Sequence, residues 1–351
     1  MPIPLSRILA KRPRGGAHGK DWIGVLGLPE ATLSMGGTIG AWNPRLEPLP
    51  LPPDEGLGLG LQECLVTRYD GIWSRGVGAV WQVLACQEDS DFVPGVNVFQ
   101  DPSPPCMLCQ ACASGDHAGC VEMDRRRWSP GWLSRETVVG PWAVGRGLLE
   151  LPARASVRAC LYLDALARIR HGLKCIGRLR PNRVAVFGSD LAGLLTGLAL
   201  EREYPDSTRS LVCERGTGRE TFRELGYHRQ ATDAEGLVGA APQLVVVTTS
   251  RTESVQQALA VCARGGTVLL MVPPQSEPDS FRFADLWARG MRIVSGVGVS
   301  PDDRVAVNEW LEDMGKRLES LPVAEIPFDR AAQAAALLET NPELVGVVLK
   351  P

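Results

Sequence analysis

Apolar and polar positions divide the chain into two textures. Up to about Pro152, apolar residues come in short runs broken by Pro and Gly. "LQECLVTRYDG", "GAVWQVLAC" and "VNVFQDP" each read as a strand closed by a turn. From Arg183 the apolar runs lengthen and alternate in type. "RVAVFGSDLAGLLTGLALEREYP" reads as a buried strand, a tight turn and an apolar-faced helix. "RSLVCERG" and "QLVVVTTS" read as strands, "TESVQQALAVCARGG" as a helix, and "TVLLMVPP" and "MRIVSGVG" as strands. Strands alternating with helices predict an α/β domain with a doubly wound parallel sheet. The tail "LPVAEIPFDRAAQAAALLETNPELVGVVLKP" predicts a strand, a helix and a last strand. No internal repeat or low-complexity segment interrupts this order.

Composition narrows the class. With 351 residues the chain is long enough for two domains. It is 44% hydrophobic and 22% charged, with a formal net charge of −3. There is no basic stripe, so a nucleic-acid partner is not expected. No apolar run approaches the ~20 residues that would span a bilayer, so neither is a membrane. The N-terminal "MPIPLSRILAKRPRGGAHGKDW" lacks the apolar stretch of a signal peptide and is read as an extension, its first residues a flexible tail without function. Cys64, Cys86, Cys160, Cys175, Cys213 and Cys262 are scattered, mostly among apolar neighbours. Buried free thiols explain them, and a reducing cytoplasm is the expected location.

The other four cysteines are concentrated. Cys106, Cys109, Cys112 and Cys120 fall within "PPCMLCQACASGDHAGC", in the spacing C-x2-C-x2-C-x7-C. Four thiolates on one loop can close a tetrahedral shell around zinc and leave no open position, which makes such a site structural. The x2 spacings sit badly with disulfide geometry inside one loop. His117 lies in the loop, but with four cysteines present it is expected to face solvent.

This cluster resembles the structural zinc lobe of the medium-chain dehydrogenase/reductases, the zinc-type alcohol dehydrogenase superfamily. The resemblance runs from about Leu61 to Pro351. "VPGVNVFQDP" is similar to the strand before that lobe and "LLELP" to the strand leading out of the catalytic domain. "RVAVFGSDLAGLL" and "ARGGTVLLMV" are similar to strands of the cofactor domain, and "IPFDRAAQAAALLE…GVVLKP" to the closing segment. The resemblance implies a GroES-like catalytic domain over residues 1–153, with its zinc lobe at about 100–122. It implies a Rossmann domain over 154–300 and a segment, 301–351, that returns to the catalytic domain. It also implies a homodimer paired through an edge strand, for which "MRIVSGVG" is the candidate.

The family's catalytic zinc has no counterpart ligands. Its cysteine and His-Glu pair should fall in "YDGIWSRGVGAVWQV", where Gly71-Ile72-Trp73 replaces the cysteine turn. No histidine lies between His18 and His117, and roughly twenty residues of the substrate-side loop are missing by comparison with the family. The third ligand position falls on Asp164, and a lone carboxylate is a poor zinc site. Asp164 either faces the cleft, orienting substrate or moving a proton, or pairs with Arg168 one turn on. His171 reads as a packed or surface histidine. Tyr69, Asp70, Trp73, Ser74 and Arg75 stand where the metal ligands would be. Tyr69 or Asp70 could act as an acid, Ser74 could donate a hydrogen bond and Trp73 could wall a pocket; each could equally be an ordinary strand-end or turn residue.

The dinucleotide fingerprint G-x-G-x-x-G appears as Gly188-Ser189-Asp190-Leu191-Ala192-Gly193. The outer glycines permit the tight turn and close helix packing. Asp190 replaces the middle glycine and brings a negative charge, unless it turns away to cap the helix. Glu214 ends the second strand, 21 residues past Gly193, where an acidic residue bonds a ribose hydroxyl. Arg215 follows, so NADP(H) stays open beside NAD(H). Leu191 and Thr248 complete the expected cofactor contacts. The sequence therefore predicts one structural zinc, no catalytic zinc, and an NAD(P)-linked oxidoreductase. Its substrate would be a small, self-activated biosynthetic molecule such as an enone or an iminium ion. A cyclase, lyase or isomerase on the same scaffold, or a non-catalytic binding protein, is the rival.

Overall fold

The computed structural model describes residues 57–67, 78–86, 90–101, 104–117, 119–121, 135–213, 219–237, 239, 241–274 and 283–351. The first half of the chain supplies β1 (Leu57–Thr67), β2 (Gly78–Ala85), β3 (Asn97–Gln100), β4 (Glu136–Val139) and β5 (Leu148–Glu150). The second half supplies β6 (Arg183–Phe187), β7 (Thr208–Val212), β8 (Arg229–Ala231), β9 (Leu244–Val247), β10 (Thr267–Leu270) and β11 (Arg292–Ser295). The last strands, β12 (Val323–Pro327) and β13 (Gly346–Lys350), do not join this second group. They return to the first sheet, whose order is β12-β13-β1-β2-β3-β5, with β4 also paired to β1. That sheet is antiparallel except between β12 and β13.

The second sheet runs β11-β10-β9-β6-β7-β8, with every pair parallel. This is the doubly wound order the apolar runs predict. Strands buried on both faces are mainly apolar; β6 is so after Arg183 and β9 throughout. Val184, Val186, Leu244 and Val246 enter one core; Ala185, Phe187, Val245 and Val247 enter the opposite one. The strand order reverses between β6 and β9, and a sheet of this kind opens its ligand crevice at such a switch point.

The larger core continues out of this sheet and into the first one. It takes Leu65, Val80, Phe99 and Val348 from the antiparallel strands. The opposite face of those strands, with Leu57, Leu59, Leu61, Trp81 and Leu349, packs separately around Phe328. β1 serves both faces because its register shifts between Leu61 and Glu63. Such a bulge adds one residue and flips the alternation. Odd positions 57, 59 and 61 face the separate core before it, and Cys64 faces that same core after it.

Elements not foreseen from the pattern include the following three. β8 has only the residues Arg-Gln-Ala and carries no apolar signature. The tail helix is preceded by a 3-10 segment over Phe328–Gln333 before the α-helix Ala334–Thr340. The third is the 19-residue helix Pro301–Glu319, which buries Val307, Trp310, Leu311, Met314 and Leu318. It packs against the helices Val157–Cys160 and Leu163–Cys175. Its start is a capping box: Ser300 Oγ accepts from the Asp303 N–H and the Asp303 carboxylate accepts from the Ser300 N–H. Among the described residues no helix is long and apolar enough to cross a membrane.

Candidate functional site

Three polar centres stand out among the described residues. The first is the cysteine lobe, which begins six residues past the end of β3. The turn through Met107, at φ 59°, and the single helical turn Gln110–Ala113 fold the loop back on itself. Cys106, Cys109, Cys112 and Cys120 bring their Sγ atoms within 4.8 Å of one another. The Cys106–Cys112 separation is 4.0 Å and the Cys109–Cys120 separation 3.9 Å. A tetrahedron with zinc–sulfur bonds of about 2.3 Å has edges of about 3.8 Å, so the four sulfurs fit a zinc-sized ion. Backbone donors support the set: the Cys109 N–H lies 3.2 Å from Cys106 Sγ and the Cys106 N–H 3.3 Å from Cys120 Sγ. All ten cysteines are free thiols. His117 is outside the sulfur group and half-buried rather than solvent-facing. Of the scattered cysteines Cys175 alone is exposed, and Cys86 is half-buried.

The second centre is Asp164, in the first turn of the helix Leu163–Cys175. Of its two readings the structure shows the pair: Arg168 Nε donates to Asp164 Oδ2 at 2.8 Å. A second partner has no local signature. Arg304, in the helix Pro301–Glu319, donates Nε and Nη2 to Asp164 Oδ1 at 3.0 and 2.9 Å, and Nη1 to Asp101 Oδ2 at 2.5 Å. The Arg304 guanidinium also lies over the Phe99 ring, 5.6 Å from its centroid. Asp101, Asp164 and Arg304 are all buried. Burial alone would raise the Asp164 pKa, but Arg168 and Arg304 outweigh it and hold the carboxyl at about 2. At neutral pH this group is ionised and has no proton to give.

One turn along, Asp303 gathers a further set of cations. His171 Nδ1 lies 2.8 Å from Asp303 Oδ2, while Arg170 Nη1 and Lys174 Nζ lie 2.5 and 3.0 Å from Oδ1. His171 is a packed histidine. The Asp303 hydrogen bond pushes its pKa up to about 9. Burial would raise the Asp303 pKa, and the bonds from His171, Ser300 and Lys174 hold it well below the carboxylate range instead. These ion pairs tie the Pro301–Glu319 helix to the Leu163–Cys175 helix.

The third centre is the turn after β6. Gly188 has φ 136°, and a Cβ there would lie 2.2 Å from Thr248 Oγ1. A Cβ on Gly193 would lie 2.2 Å from the Gly188 carbonyl oxygen. No side chain fits either position, as the fingerprint requires. Asp190 is the N-cap of the helix Leu191–Glu203. Its Oδ1 accepts from the Gly193 N–H at 2.8 Å and lies 3.1 Å from Thr248 Oγ1. The Thr248 hydroxyl is also 3.2 Å from the Phe187 carbonyl, so its single proton is shared between two acceptors. Leu191 is buried, and Tyr227 donates its hydroxyl proton to the Gly193 carbonyl. The glycine frame of the turn fits a dinucleotide. The Asp190 carboxylate does not fit a diphosphate in its present place, because it already uses a helix-start N–H.

Glu214 and Arg215 lie outside the described residues, as do Tyr69, Asp70, Trp73, Ser74 and Arg75. The structure thus brings Gly188, Asp190, Leu191, Gly193 and Thr248 together at one site and the four cysteines at another, with Asp164 apart from both.

No family model matches the chain, and no curated protein matches it. Solved structures do. A zinc-binding dehydrogenase of Sinorhizobium meliloti 1021 bound to NADP superposes with a TM-score of 0.70 at 21% identity, over 86% of this chain and 94% of that one. L-idonate 5-dehydrogenase of Escherichia coli K-12 gives 0.71 at 16%, over 85% and 91%. An alcohol dehydrogenase of Thermotoga maritima gives 0.72 at 14%, over 88% and 94%. The antiparallel sheet with its cysteine lobe, joined to a parallel sheet of Rossmann order, is therefore the fold that these dehydrogenase structures share.

Proposed function

We infer that the chain is a medium-chain dehydrogenase-type oxidoreductase that acts on a small molecule with NAD(H) or NADP(H) and without a catalytic zinc. One observation carries the reading. At the position where the resemblance puts the third catalytic-metal ligand, both Asp164 oxygens are bound by Arg168 and Arg304. A carboxylate already neutralised by two guanidinium groups gains little from a metal, and one such group is a poor zinc site in any case.

The chemistry that a nicotinamide cofactor would bring to this site is hydride transfer. The chain's own residues shape the crevice for it. Gly188 and Gly193 keep the turn low, Leu191 and Thr248 pack beneath it, and Glu214 with Arg215 would meet the adenosine ribose. The four cysteines would hold one zinc as a brace, since four thiolates leave no open coordination position. Without a metal to polarise a carbonyl, the substrate must carry its own activation, as an enone or iminium ion does. Tyr69 and Asp70 are the proposed acids, and Ser74 the proposed hydrogen-bond donor. The proposed homodimer contact is β11, the edge of the parallel sheet; Ile293 there is exposed and the nearby Trp287 is 87% exposed, which supports it.

A second reading rests on Asp190. Its carboxylate at the Gly193 N–H favours a cyclase, lyase or isomerase that has kept the scaffold and lost the cofactor. Fluorescence titration of the full chain with NADH and NADPH separates the two. Saturable binding supports the oxidoreductase; no binding at millimolar cofactor leaves the second reading and a non-catalytic binding protein. Metal analysis is expected to give one zinc per chain, and two would overturn the zinc-free active site.

A further inference from the structure

We propose that Asp190 is a resident anion in the phosphate position of the nucleotide turn, and that it sets the affinity of this site for dinucleotides by competing with their diphosphate. The proposal rests on the dinucleotide reading above and sharpens it. Asp190 Oδ1 accepts the Gly193 N–H at 2.8 Å. That donor is at the third position of a 13-residue helix, where the unpaired N–H groups and the positive end of the helix dipole lie. The fingerprint leaves this end open so that backbone N–H groups can meet phosphate oxygens. Here a carboxylate meets one of them first.

The side chain is held there from two sides. Thr248 Oγ1, buried at the end of β9, lies 3.1 Å from the same Oδ1 atom. Gly188 makes room for this approach, since any Cβ at that position would collide with Thr248 Oγ1. The glycines that ordinarily admit an external diphosphate thus also admit the Thr248–Asp190 contact. A diphosphate arriving at the crevice meets a fixed negative charge and a donor already in use. It docks only when Asp190 gives up the Gly193 N–H and turns away, so the competition is charge against charge at one helix end. The adenosine and nicotinamide halves do not enter it, and NADH and NADPH should feel it alike.

The test compares the full-length parent, Asp190→Gly and Asp190→Asn by fluorescence titration with NADH and with NADPH. Thermal melting of each protein checks that it is folded. Asn keeps a capping oxygen and removes only the charge, so it answers even where the glycine variant is too unstable to assay. The expected result is at least a tenfold tightening of both cofactors in Asp190→Gly and a smaller tightening in Asp190→Asn, with the NADH-to-NADPH ratio unchanged. Inorganic pyrophosphate should displace NADH from the variants at lower concentration than from the parent. Parent and variants binding with equal affinity, or the variants binding more weakly, would overturn the competition while leaving the dinucleotide reading intact. No binding by any of the three at millimolar cofactor would overturn both.

Discussion

The cysteine lobe and the Asp164–Arg304 centre lie close in sequence through Asp101 and Cys106, yet they treat buried charge in opposite ways. The lobe gathers four sulfurs of one kind into a single group. A zinc-sized ion from solution would complete it. The Asp164 centre gathers two buried carboxylates around a guanidinium from a helix 140 residues away in sequence. It is complete without any ion. The comparison shows that donor atoms alone do not make a metal site: what matters is whether the chain has already supplied the opposite charge.

Emptying the lobe should have the largest effect. Cys112→Ser, or prolonged chelation, is expected to take zinc from about one per chain to none, with the loss of on the order of 10 kcal/mol of metal-binding free energy from a segment with little core of its own. Metal analysis paired with limited proteolysis between β3 and β4 checks it. A lobe equally resistant to protease after metal loss would break the comparison from that side.

Next comes Arg304→Met, which takes the guanidinium away from buried Asp101 and leaves Asp164 with Arg168. A cost of about 3–5 kcal/mol is expected in denaturant unfolding. The triple variant that also carries Asp101→Asn and Asp164→Asn should recover most of it. A cost under about 1 kcal/mol for Arg304→Met, the level of an exposed pair, would show that the charges are not buried as described.

Titration gives a smaller signal with a definite sign. The Asp164 pKa is lowered from 3.8 to about 2, so its contribution is full above pH 4 and lost as the pH falls toward 2. The linkage amounts to about 2 kcal/mol. His171 acts in the other direction. Its pKa is raised from 6.5 to about 9, so its contribution is full below pH 6.5 and lost as the pH rises through 9. Unfolding free energy should therefore plateau between these limits, and His171→Gln should remove the alkaline slope while leaving the acid one. An alkaline slope that survives in His171→Gln would assign it elsewhere.

The smallest effect is expected at the helix start. Ser300→Ala removes the hydroxyl that accepts the Asp303 N–H and donates to its carboxylate, at about 1 kcal/mol. Because Asp303 keeps Arg170, His171 and Lys174, the alkaline slope should be unchanged in this variant.

The parts of the fold legible in the sequence are those with local signatures. β6, β9 and β10 read directly because strands buried on both faces are dominated by apolar residues. The cysteine spacing could be read as a metal loop because all four ligands sit within fifteen residues. The capping role of Asp190 could be read too, being a three-residue interaction. The helix Pro301–Glu319 left a usable signal in Ser300-Pro301-Asp302-Asp303, but its many charges hid the apolar face at Val307, Trp310, Leu311, Met314 and Leu318. Arg168 could be anticipated as an i+4 partner of Asp164. Arg304 could not, because nothing in the sequence near either residue says that the two helices meet. The burial of Asp101 depends on that same meeting.

The extra residue in β1 has its own consequence. Because Gln62 shifts the phase of the strand, Leu59 and Cys64 reach the same interior while Leu65 reaches the other. Removing one residue at this point would leave the composition almost untouched and turn half the strand inside out. The length of β1 is therefore as much a part of its message as its side chains, and insertions or deletions there should be the least forgiven anywhere in the antiparallel sheet.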